Sequence, residues 1–469
     1  MAIDDPVGAD IPVITGDDLS SEPQALASLL RCGDLKAPAA QDVVAFEGIR
    51  WTPSSRLLEQ VGSTLWGGTT FALVGDQQGA FVGIRAAAQR SLPSNSRSGA
   101  GAERSSGAVI TVQGGPGSGK TALAVRLLGH FMRKHPWANP RFVTPSGTLR
   151  AHLLDAVREY SAARELFVPA SSLRSATRDA QVVIIDEAQR ISRTGKGLAP
   201  ELVAALQTVP LVVVVFLDER QIICPDEGTS VAEIRSIAHA SNRQHHHLPL
   251  NGAFRCNGSK AFTEWVDQLL YGTPLSWHGH AEYDLGMCEG PFQLEQWIEQ
   301  ANAAGHLART SAGFCWRWTR TRRRGASALP LDITIDTSDP ATGRPRAWKA
   351  AWNAYDALTG TDGALLAPRS QLWATHPGGH QQIGCVYTAQ GMEYHHAGVL
   401  IGPDLTWDKG QWTAHPEASQ DRRLRGLSPA QYLPLALNIY RVLLTRGTHA
   451  TRIHATDPTT QHFLQRLIR

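Results

Sequence analysis

The sequence lacks closely spaced cysteines and long apolar runs, and these two absences exclude several classes of protein. Its cysteines are scattered along 469 residues, at Cys32, Cys224, Cys256, Cys288, Cys315 and Cys385. This spacing suits neither a disulfide framework nor a zinc site, and it is typical of a reduced, intracellular protein. The longest apolar run, residues 211–217, is far too short to span a membrane and is predicted to be a buried strand.

A strong charge of either sign is also missing. The formal net charge is +3, so nucleic-acid binding has to be argued from a local basic surface and not from the overall charge. The N-terminal residues are acidic and have neither the basic start nor the apolar core of a signal peptide. We therefore predict a cytoplasmic protein without membrane contact. Hydrophobic residues form 42% of the chain, as in globular proteins, and the length favours two domains.

Short apolar runs alternate with helical stretches from residue 108 onward. In the first half the predicted strands are residues 108–112, 141–144, 181–185 and 211–217. In the second half they are residues 313–318, 332–336, 383–387, 398–401 and 452–455. The predicted helices are residues 121–134, 148–160, 200–207 and 435–446. Apolar strands that alternate with helices predict an α/β fold in which mainly parallel sheets are flanked by helices.

This pattern also predicts the domain organisation. Residues 1–45 are expected to be an acidic tail or accessory segment, and residues 46–250 a first α/β domain. Residues 251–469 are expected to be a second α/β domain with inserted segments. Residues 91–107 have almost no apolar side chains to bury, so they are predicted to form a flexible loop within the first domain.

An eight-residue motif between the first predicted strand and helix fits the phosphate-loop (Walker A) pattern G-x-x-x-x-G-K-[ST]. Its residues are Gly114, Gly115, Pro116, Gly117, Ser118, Gly119, Lys120 and Thr121. The glycines let backbone N–H groups converge on phosphates, and the helix N-terminus adds the positive end of its dipole. We predict that Lys120 contacts the β- and γ-phosphates of ATP and that the Thr121 hydroxyl ligates Mg²⁺. The alternative, a turn without a ligand, is disfavoured by the strand–loop–helix context.

Two acidic residues end the apolar run at residues 181–185, in the manner of a Walker B motif. A carboxylate at the carboxyl end of a parallel strand lies in the crevice where α/β sheets bind ligands. We predict that Asp186 holds Mg²⁺ and that Glu187 orients and deprotonates the attacking water. In isolation such a pair is more often a solvated strand end. After the next strand, Gln221 is predicted to contact the γ-phosphate or the lytic water, with an ordinary surface loop as the alternative.

Several segments occur in an order that resembles the motifs of superfamily 1 helicases. They are DEAQ, LDERQ, LNGAFR, TAQGME and YRVLLTR. More narrowly, the chain resembles the Schlafen group 3-type DNA/RNA helicase domain from about residue 46 to its C-terminus. The segments that carry this resemblance are FLDERQ, AFRCNGS, AGFCWRW, QGMEY, VLIGPDL and LLTRGTHA. The resemblance implies two RecA-like P-loop NTPase domains that close around Mg-ATP.

The resemblance also implies roles for five further residues. Gln77 is similar to the glutamine that recognises adenine in superfamily 1, although it is also an ordinary polar residue for a helix. Arg255 and Arg446 resemble the two arginines that the second domain offers to the γ-phosphate, where a guanidinium stabilises transferred charge. Gln390 and Glu393 resemble residues that contact phosphate and ribose.

Three other segments have competing interpretations. Trp316, Trp318 and the basic run at residues 319–324 suit either an unpaired nucleic-acid strand or a strand followed by a solvated loop. The segment TPSG at residues 144–147 is either a nucleic-acid phosphate contact or only a turn. The run HHH at residues 245–247 has no carboxylate or cysteine at ligand spacing, so an exposed polar loop is predicted there.

Together these features predict an ATP-dependent DNA or RNA helicase or translocase, with ATP and Mg²⁺ as cofactors and a single strand of DNA or RNA as its partner. The alternative is a nucleotide-gated sensor or scaffold that binds nucleic acid or protein without separating strands. A role in defence against phage fits either version. A metabolic P-loop kinase is disfavoured, because it needs neither the paired arginines of a second domain nor the QG-x-E element.

Overall fold

A computed structural model describes residues 61, 64–65, 73, 75–91, 107–195, 197–252, 259–279, 283–319, 328–339 and 342–468. The predicted segment 1–45, Arg255, residues 320–324 and most of the predicted loop 91–107 lie outside these ranges. Residues 53–469 form one compact unit. Among the described ranges, no helix has the length and apolar character needed to cross a membrane.

The first half of the described chain is built on a six-stranded sheet. Its strands are β1 (Ala108–Gly114), β2 (Arg141–Thr144), β3 (Phe167–Pro169), β4 (Val182–Ile185), β5 (Val212–Leu217) and β6 (Gln244–Leu250). They lie in the order β3-β2-β4-β5-β1-β6, and every pairing is parallel. The helices of this half are α1 (Asp76–Ser91), α2 (Lys120–Lys134), α3 (Gly147–Ala156), α4 (Leu173–Ala176), α5 (Pro200–Thr208) and α6 (Val231–Ala240).

Strand β5 shows why this sheet is covered on both faces. All six of its residues are buried. Val212, Val214 and Phe216 belong to one hydrophobic cluster, whereas Val213, Val215 and Leu217 belong to another. Side chains alternate across a strand, so these two clusters lie on opposite faces of the sheet. A continuous apolar run is therefore what this central position requires.

The second half is built on a five-stranded sheet with three antiparallel hairpins. The strands of this half are β7 (Asp284–Met287), β8 (Ala308–Ala312), β9 (Ile333–Ser338), β10 (Pro345–Ala350), β11 (Leu358–Thr359), β12 (Leu365–Ala367), β13 (Ile383–Cys385), β14 (Tyr394–Ile401), β15 (Leu405–Asp408), β16 (Gln411–Ala414) and β17 (Gly447–Ala455). The order β13-β8-β14-β17-β7 is parallel throughout. The helices are α7 (Lys260–Tyr271), α8 (Pro291–Ala303), α9 (Val386–Ala389), α10 (Pro429–Leu444) and α11 (Pro458–Leu467).

The predicted fold class, with mainly parallel sheets flanked by helices, is confirmed, but one strand prediction in the second half is wrong. Residues 313–318 do not form a strand; the strand here is β8, which ends at Ala312. The aromatic residues that suggested a strand instead pack around Trp352, with ring centroids 5.7 Å away for Phe314 and 6.3 Å for Trp318. The strand predicted at residues 332–336 exists as β9, but it pairs antiparallel with β10 outside the parallel sheet.

The expected loop at His245, His246 and His247 is also wrong, because these residues lie in β6. Within the part of the chain that the structure describes, this strand forms one end of the sheet and pairs only with β1. A strand at the edge of a sheet has a neighbouring strand on one side only, and such strands often carry polar side chains. His245 uses its position to contact the buried Thr111 hydroxyl through Nε2, at 3.0 Å.

Candidate nucleotide site

The phosphate loop connects the end of β1 to the first turn of α2. Gly119 has a φ of 78°, in the left-handed region that favours glycine, and helical geometry begins at Lys120. A Cβ atom at Gly119 would lie 2.0 Å from Nε2 of Gln77, and one at Gly114 would lie 2.4 Å from Oγ of Ser118. A side chain at either position would therefore have to displace Gln77 or Ser118, and at Gly119 it would also strain the backbone.

Lys120 is buried against the loop that precedes it. Its ammonium group donates to the carbonyl oxygens of Gly114 at 2.7 Å and Gly115 at 2.9 Å. Only 6% of its surface is exposed. A positive charge is thus held beside the backbone of the phosphate loop, where it can pair with an anionic ligand.

Asp186 and Thr121 meet at the same edge of the sheet. The Thr121 hydroxyl donates to Oδ2 of Asp186 at 2.7 Å, and the backbone N–H of Glu187 donates to Oδ1 at 3.0 Å. Adjacent ligands of an octahedral Mg²⁺ lie about 3 Å apart, because Mg–O distances are about 2.1 Å. A hydroxyl and a carboxylate oxygen already at this spacing fit the ligand set that the sequence predicts for Mg²⁺.

Asp186 is fully buried, and desolvation raises its pKa to about 7, with the neighbouring Glu187 carboxylate acting in the same direction. A carboxyl whose pKa is raised on folding binds its proton more tightly in the folded chain. Its stabilising contribution is therefore lost as pH rises through about 7. An ionised Asp186 is a cost to the folded state that Mg²⁺ would offset.

We expect Asp186→Asn to raise the melting temperature of the nucleotide-free and magnesium-free protein by a few degrees. Asparagine can still hydrogen-bond Thr121 and the Glu187 backbone, but it removes a desolvated charge. Melting both proteins at several pH values between about 6 and 8 tests this. The difference between variant and wild type should widen as pH rises, and a difference that shrinks or reverses would contradict the assignment of the buried charge to Asp186.

Glu187 is held in a conformation that non-glycine residues rarely adopt. Its φ is 57°, and only 5% of its surface is exposed. Gln189 donates from Nε2 to Oε2 of Glu187 at 2.7 Å, and Oε1 of Gln189 accepts from the backbone N–H of Asp218 at 3.2 Å. This amide therefore ties the Glu187 carboxylate to the end of β5. Strained backbone conformations of this kind are enriched at functional sites.

The segment after β5 contacts the second half of the chain. Nε2 of Gln221 donates to Oδ2 of Asp218 at 2.9 Å, and Nε2 of Gln390 donates to the backbone oxygen of Gln221 at 3.0 Å. Both glutamines are buried, and among the described residues neither Oε1 atom has a hydrogen-bond partner. Buried polar atoms are normally satisfied, so these two acceptors mark a place where a water or ligand donor fits.

The other predicted site residues have varied positions. Gln77 is buried and donates to the backbone oxygen of Ser118 at 3.0 Å, which places it on the phosphate loop. Glu393 is partly buried and lies directly before β14. Arg446 is fully buried, and its guanidinium donates to the backbone oxygens of Val442 at 2.7 Å and Met392 at 3.3 Å. To reach a phosphate, that guanidinium has to leave these carbonyls.

Two segments predicted as alternatives for nucleic-acid contact are used structurally. Ser146 caps the N-terminus of α3 by accepting from the Leu149 backbone N–H at 3.2 Å, and only 1% of its surface is exposed. Nε1 of Trp316 donates to the backbone oxygen of Thr334 at 3.1 Å. Trp316 and Trp318 both pack against the hydrophobic cluster around Trp352.

Arg441, which was not predicted from the sequence, lies on α10 five residues before Arg446. Its Nε donates to Oδ1 of Asp267 at 2.6 Å, and its Nη1 donates to Oδ2 of Asp218 at 3.4 Å. Its Nη2 lies 3.9 Å from the position that a Cβ atom of Gly115 would occupy. The available signal was an arginine inside the apolar helix segment YRVLL, where a charged residue needs a buried partner.

A comparison with protein families agrees with the family resemblance. A family model described as Schlafen group 3, DNA/RNA helicase domain, matches residues 107–457, well over half of the chain. No curated protein matches the sequence. The Pif1 helicase from Candida albicans is similar at 11% identity over 85% of this chain and 100% of that one, with a TM-score of 0.33. A Pif1 helicase from Bacteroides, in complex with ADP-AlF3 and ssDNA, is similar at 12% identity over 83% of this chain and 94% of that one, with a TM-score of 0.33.

Proposed function

Because the chain belongs to the Schlafen group 3 DNA/RNA helicase domain family, we propose that it is an ATP-driven helicase or translocase that acts on a single strand of DNA or RNA. The observation that carries this proposal is the contact between Thr121 and Asp186 beside the phosphate loop. It joins the two motifs that an ATPase needs, the loop after β1 and the acidic end of β4, at 2.7 Å.

In this proposal, different residues of the chain have different roles in ATP hydrolysis. Lys120 and the backbone N–H groups of the phosphate loop bind the phosphates, and Thr121 and Asp186 hold Mg²⁺. When bound, Mg²⁺ neutralises charge on the β- and γ-phosphate oxygens. Glu187, oriented by Gln189, accepts a proton from the attacking water. These steps need no covalent intermediate, so positioning and electrostatics supply the catalysis.

The second half of the chain couples hydrolysis to movement. Gln390 contacts the backbone of Gln221, and Nδ2 of Asn438 donates to the backbone oxygen of Ile222 at 2.8 Å. These contacts join the segment after β5, which follows the nucleotide state through Gln221, to α9 and α10. Loss of the γ-phosphate alters this junction in our proposal, and a strand bound across both halves then moves. Arg255 and Arg446 remain predicted γ-phosphate ligands, and Glu393 a predicted nucleotide contact.

The proposal predicts that single-stranded DNA or RNA stimulates steady-state ATP turnover. Binding to a phosphate backbone releases counterions, so the stimulation should fall steeply as salt is raised. Turnover is measured with single strands, with duplexes and without nucleic acid, and unwinding is measured on forked DNA and RNA substrates. Stimulation together with strand separation supports a helicase, and stimulation without separation supports a translocase. Turnover that ignores every strand would reject the motor and favour the nucleotide-gated sensor.

A further inference from the structure

Arg441 reaches the nucleotide site from the second half of the chain. It lies on α10 and is almost fully buried, with 7% of its side chain exposed. Its Nη2 is 3.9 Å from where a Cβ of Gly115 would be, and Nζ of Lys120 donates to the carbonyl of that same glycine at 2.9 Å. Two cationic side chains from different halves therefore approach one residue of the phosphate loop.

The two carboxylates around Arg441 hold it unequally. Asp267, on α7 of the same half, accepts from Nε of Arg441 at 2.6 Å and from its Nη2 at 3.4 Å, and Oδ2 of Asp267 also accepts from Arg220 at 2.7 Å. Asp218, at the end of β5 in the other half, accepts from Nη1 at 3.4 Å, and the same Oδ2 atom also accepts from Gln221 at 2.9 Å. Asp267 thus holds the guanidinium along one edge through two nitrogens, whereas the contact with Asp218 across the two halves is a single, longer hydrogen bond.

This geometry leaves the terminal nitrogens of Arg441 available for exchange. A guanidinium anchored along its Nε–Nη2 edge still has N–H groups on Nη1 and Nη2 for a second anion, and phosphate oxygens match that fork better than one shared carboxylate oxygen. Such an exchange keeps the buried Arg441 charge paired at every stage, and Oδ2 of Asp218 retains the Gln221 amide as a hydrogen-bond donor. The ion pair with Asp218 therefore competes with the nucleotide for the same donors.

We infer that Arg441 is a nucleotide-contacting residue that moves from Asp218 to the terminal phosphate of ATP while Asp267 keeps it oriented. This inference rests on the proposed function, because it requires ATP in the loop beside Gly115. In this inference, binding of the γ-phosphate breaks the ion pair between Arg441 and Asp218. ADP lacks that phosphate, so the ion pair persists when ADP is bound.

The test compares the dissociation constants of ADP and of a non-hydrolysable ATP analogue, measured by calorimetry in the presence of Mg²⁺ for the full chain. We expect Arg441→Ala to weaken analogue binding roughly 10- to 100-fold, the loss typical of a charge-assisted hydrogen-bonded pair, and to change ADP binding much less. Retained ADP binding also reports that the variant is folded. Equal weakening of both nucleotides, or of neither, would overturn the inference.

Two further variants separate nucleotide contact from simple bracing. Arg423→Ala removes another ion pair between the halves, from Nη1 of Arg423 to Glu227 at 3.4 Å, and should leave the ratio of the two dissociation constants unchanged. Asp218→Asn removes the competing charge, so it should tighten analogue binding relative to ADP, opposite in sign to Arg441→Ala. Weaker relative binding of the analogue in Asp218→Asn would show that no exchange occurs.

The proposed function and this inference fail in different ways. If the wild-type chain binds neither nucleotide, the proposed function is wrong. If the wild type binds and hydrolyses ATP but Arg441→Ala prefers the analogue over ADP as strongly as the wild type does, only the assignment of Arg441 is wrong.

Discussion

Glu187→Gln is expected to lower steady-state ATP turnover by roughly 100- to 10,000-fold, the range contributed by a general base. Glutamine keeps the size of the side chain and can still hydrogen-bond Gln189, which contacts Oε2 of Glu187 at 2.7 Å. It cannot accept the proton of the attacking water. ATP binding should persist, because Lys120, Thr121 and Asp186 are unchanged. Turnover is measured by phosphate release, and binding is measured by calorimetry.

The matched control is Glu264→Gln, the same substitution at a side chain that is 64% exposed. It should leave both turnover and binding at wild-type values. Near-normal turnover in Glu187→Gln would exclude Glu187 as the base. A parallel loss of binding and turnover would instead indicate that the side chain braces the site, since a general base acts on the chemical step.

The fold was predictable where local pattern and burial coincide. The strands β1, β2, β4 and β5 are central or adjacent to the centre of their sheet, so they are apolar on both faces and carry the signal directly in sequence. Strand β6 was missed because it forms an end of the sheet and carries histidines. In both cases sheet position decides how much of the strand the sequence reveals.

Strand β8 was missed for a different reason. Its sequence, ARTSA, has no apolar run, yet all five residues are buried. Arg309 is accommodated because Nε donates to the backbone oxygen of Trp373 at 2.9 Å and Nη2 donates to that of His376 at 3.0 Å. These acceptors are more than sixty residues away in sequence, so no local pattern predicts that a strand with this composition is buried.

The candidate site also has one part that was predictable from the sequence and one part that was not. The phosphate loop and the acids after β4 were predictable because their chemistry needs adjacent residues at fixed spacing on one strand–loop–helix unit. The cluster of Arg441, Asp218 and Asp267 joins three segments that only the folded chain brings together. Its members are ordinary charged residues in sequence. They become notable when their burial and their distance from Gly115 are known.

Lys120→Ala is expected to weaken ATP binding by roughly 100-fold and to abolish turnover at moderate ATP concentration. Charge-assisted hydrogen bonds contribute about 1.5–3 kcal/mol each, and about 2.7 kcal/mol corresponds to 100-fold in affinity. No other cation of the phosphate-loop motif can substitute, because its remaining residues carry none. Calorimetric titration with ATP and with ADP, with Mg²⁺ present, measures the effect.

The control for this variant is Lys134→Ala, the same substitution at the opposite end of α2. It should bind ATP as the wild type does. Lys120 also donates to the carbonyls of Gly114 and Gly115, so its loss removes contacts that shape the loop itself. Thermal melting separates these effects: a folded Lys120→Ala chain that has lost ATP binding supports phosphate contact. A folded chain that binds ATP with wild-type affinity would refute the phosphate loop as the nucleotide site.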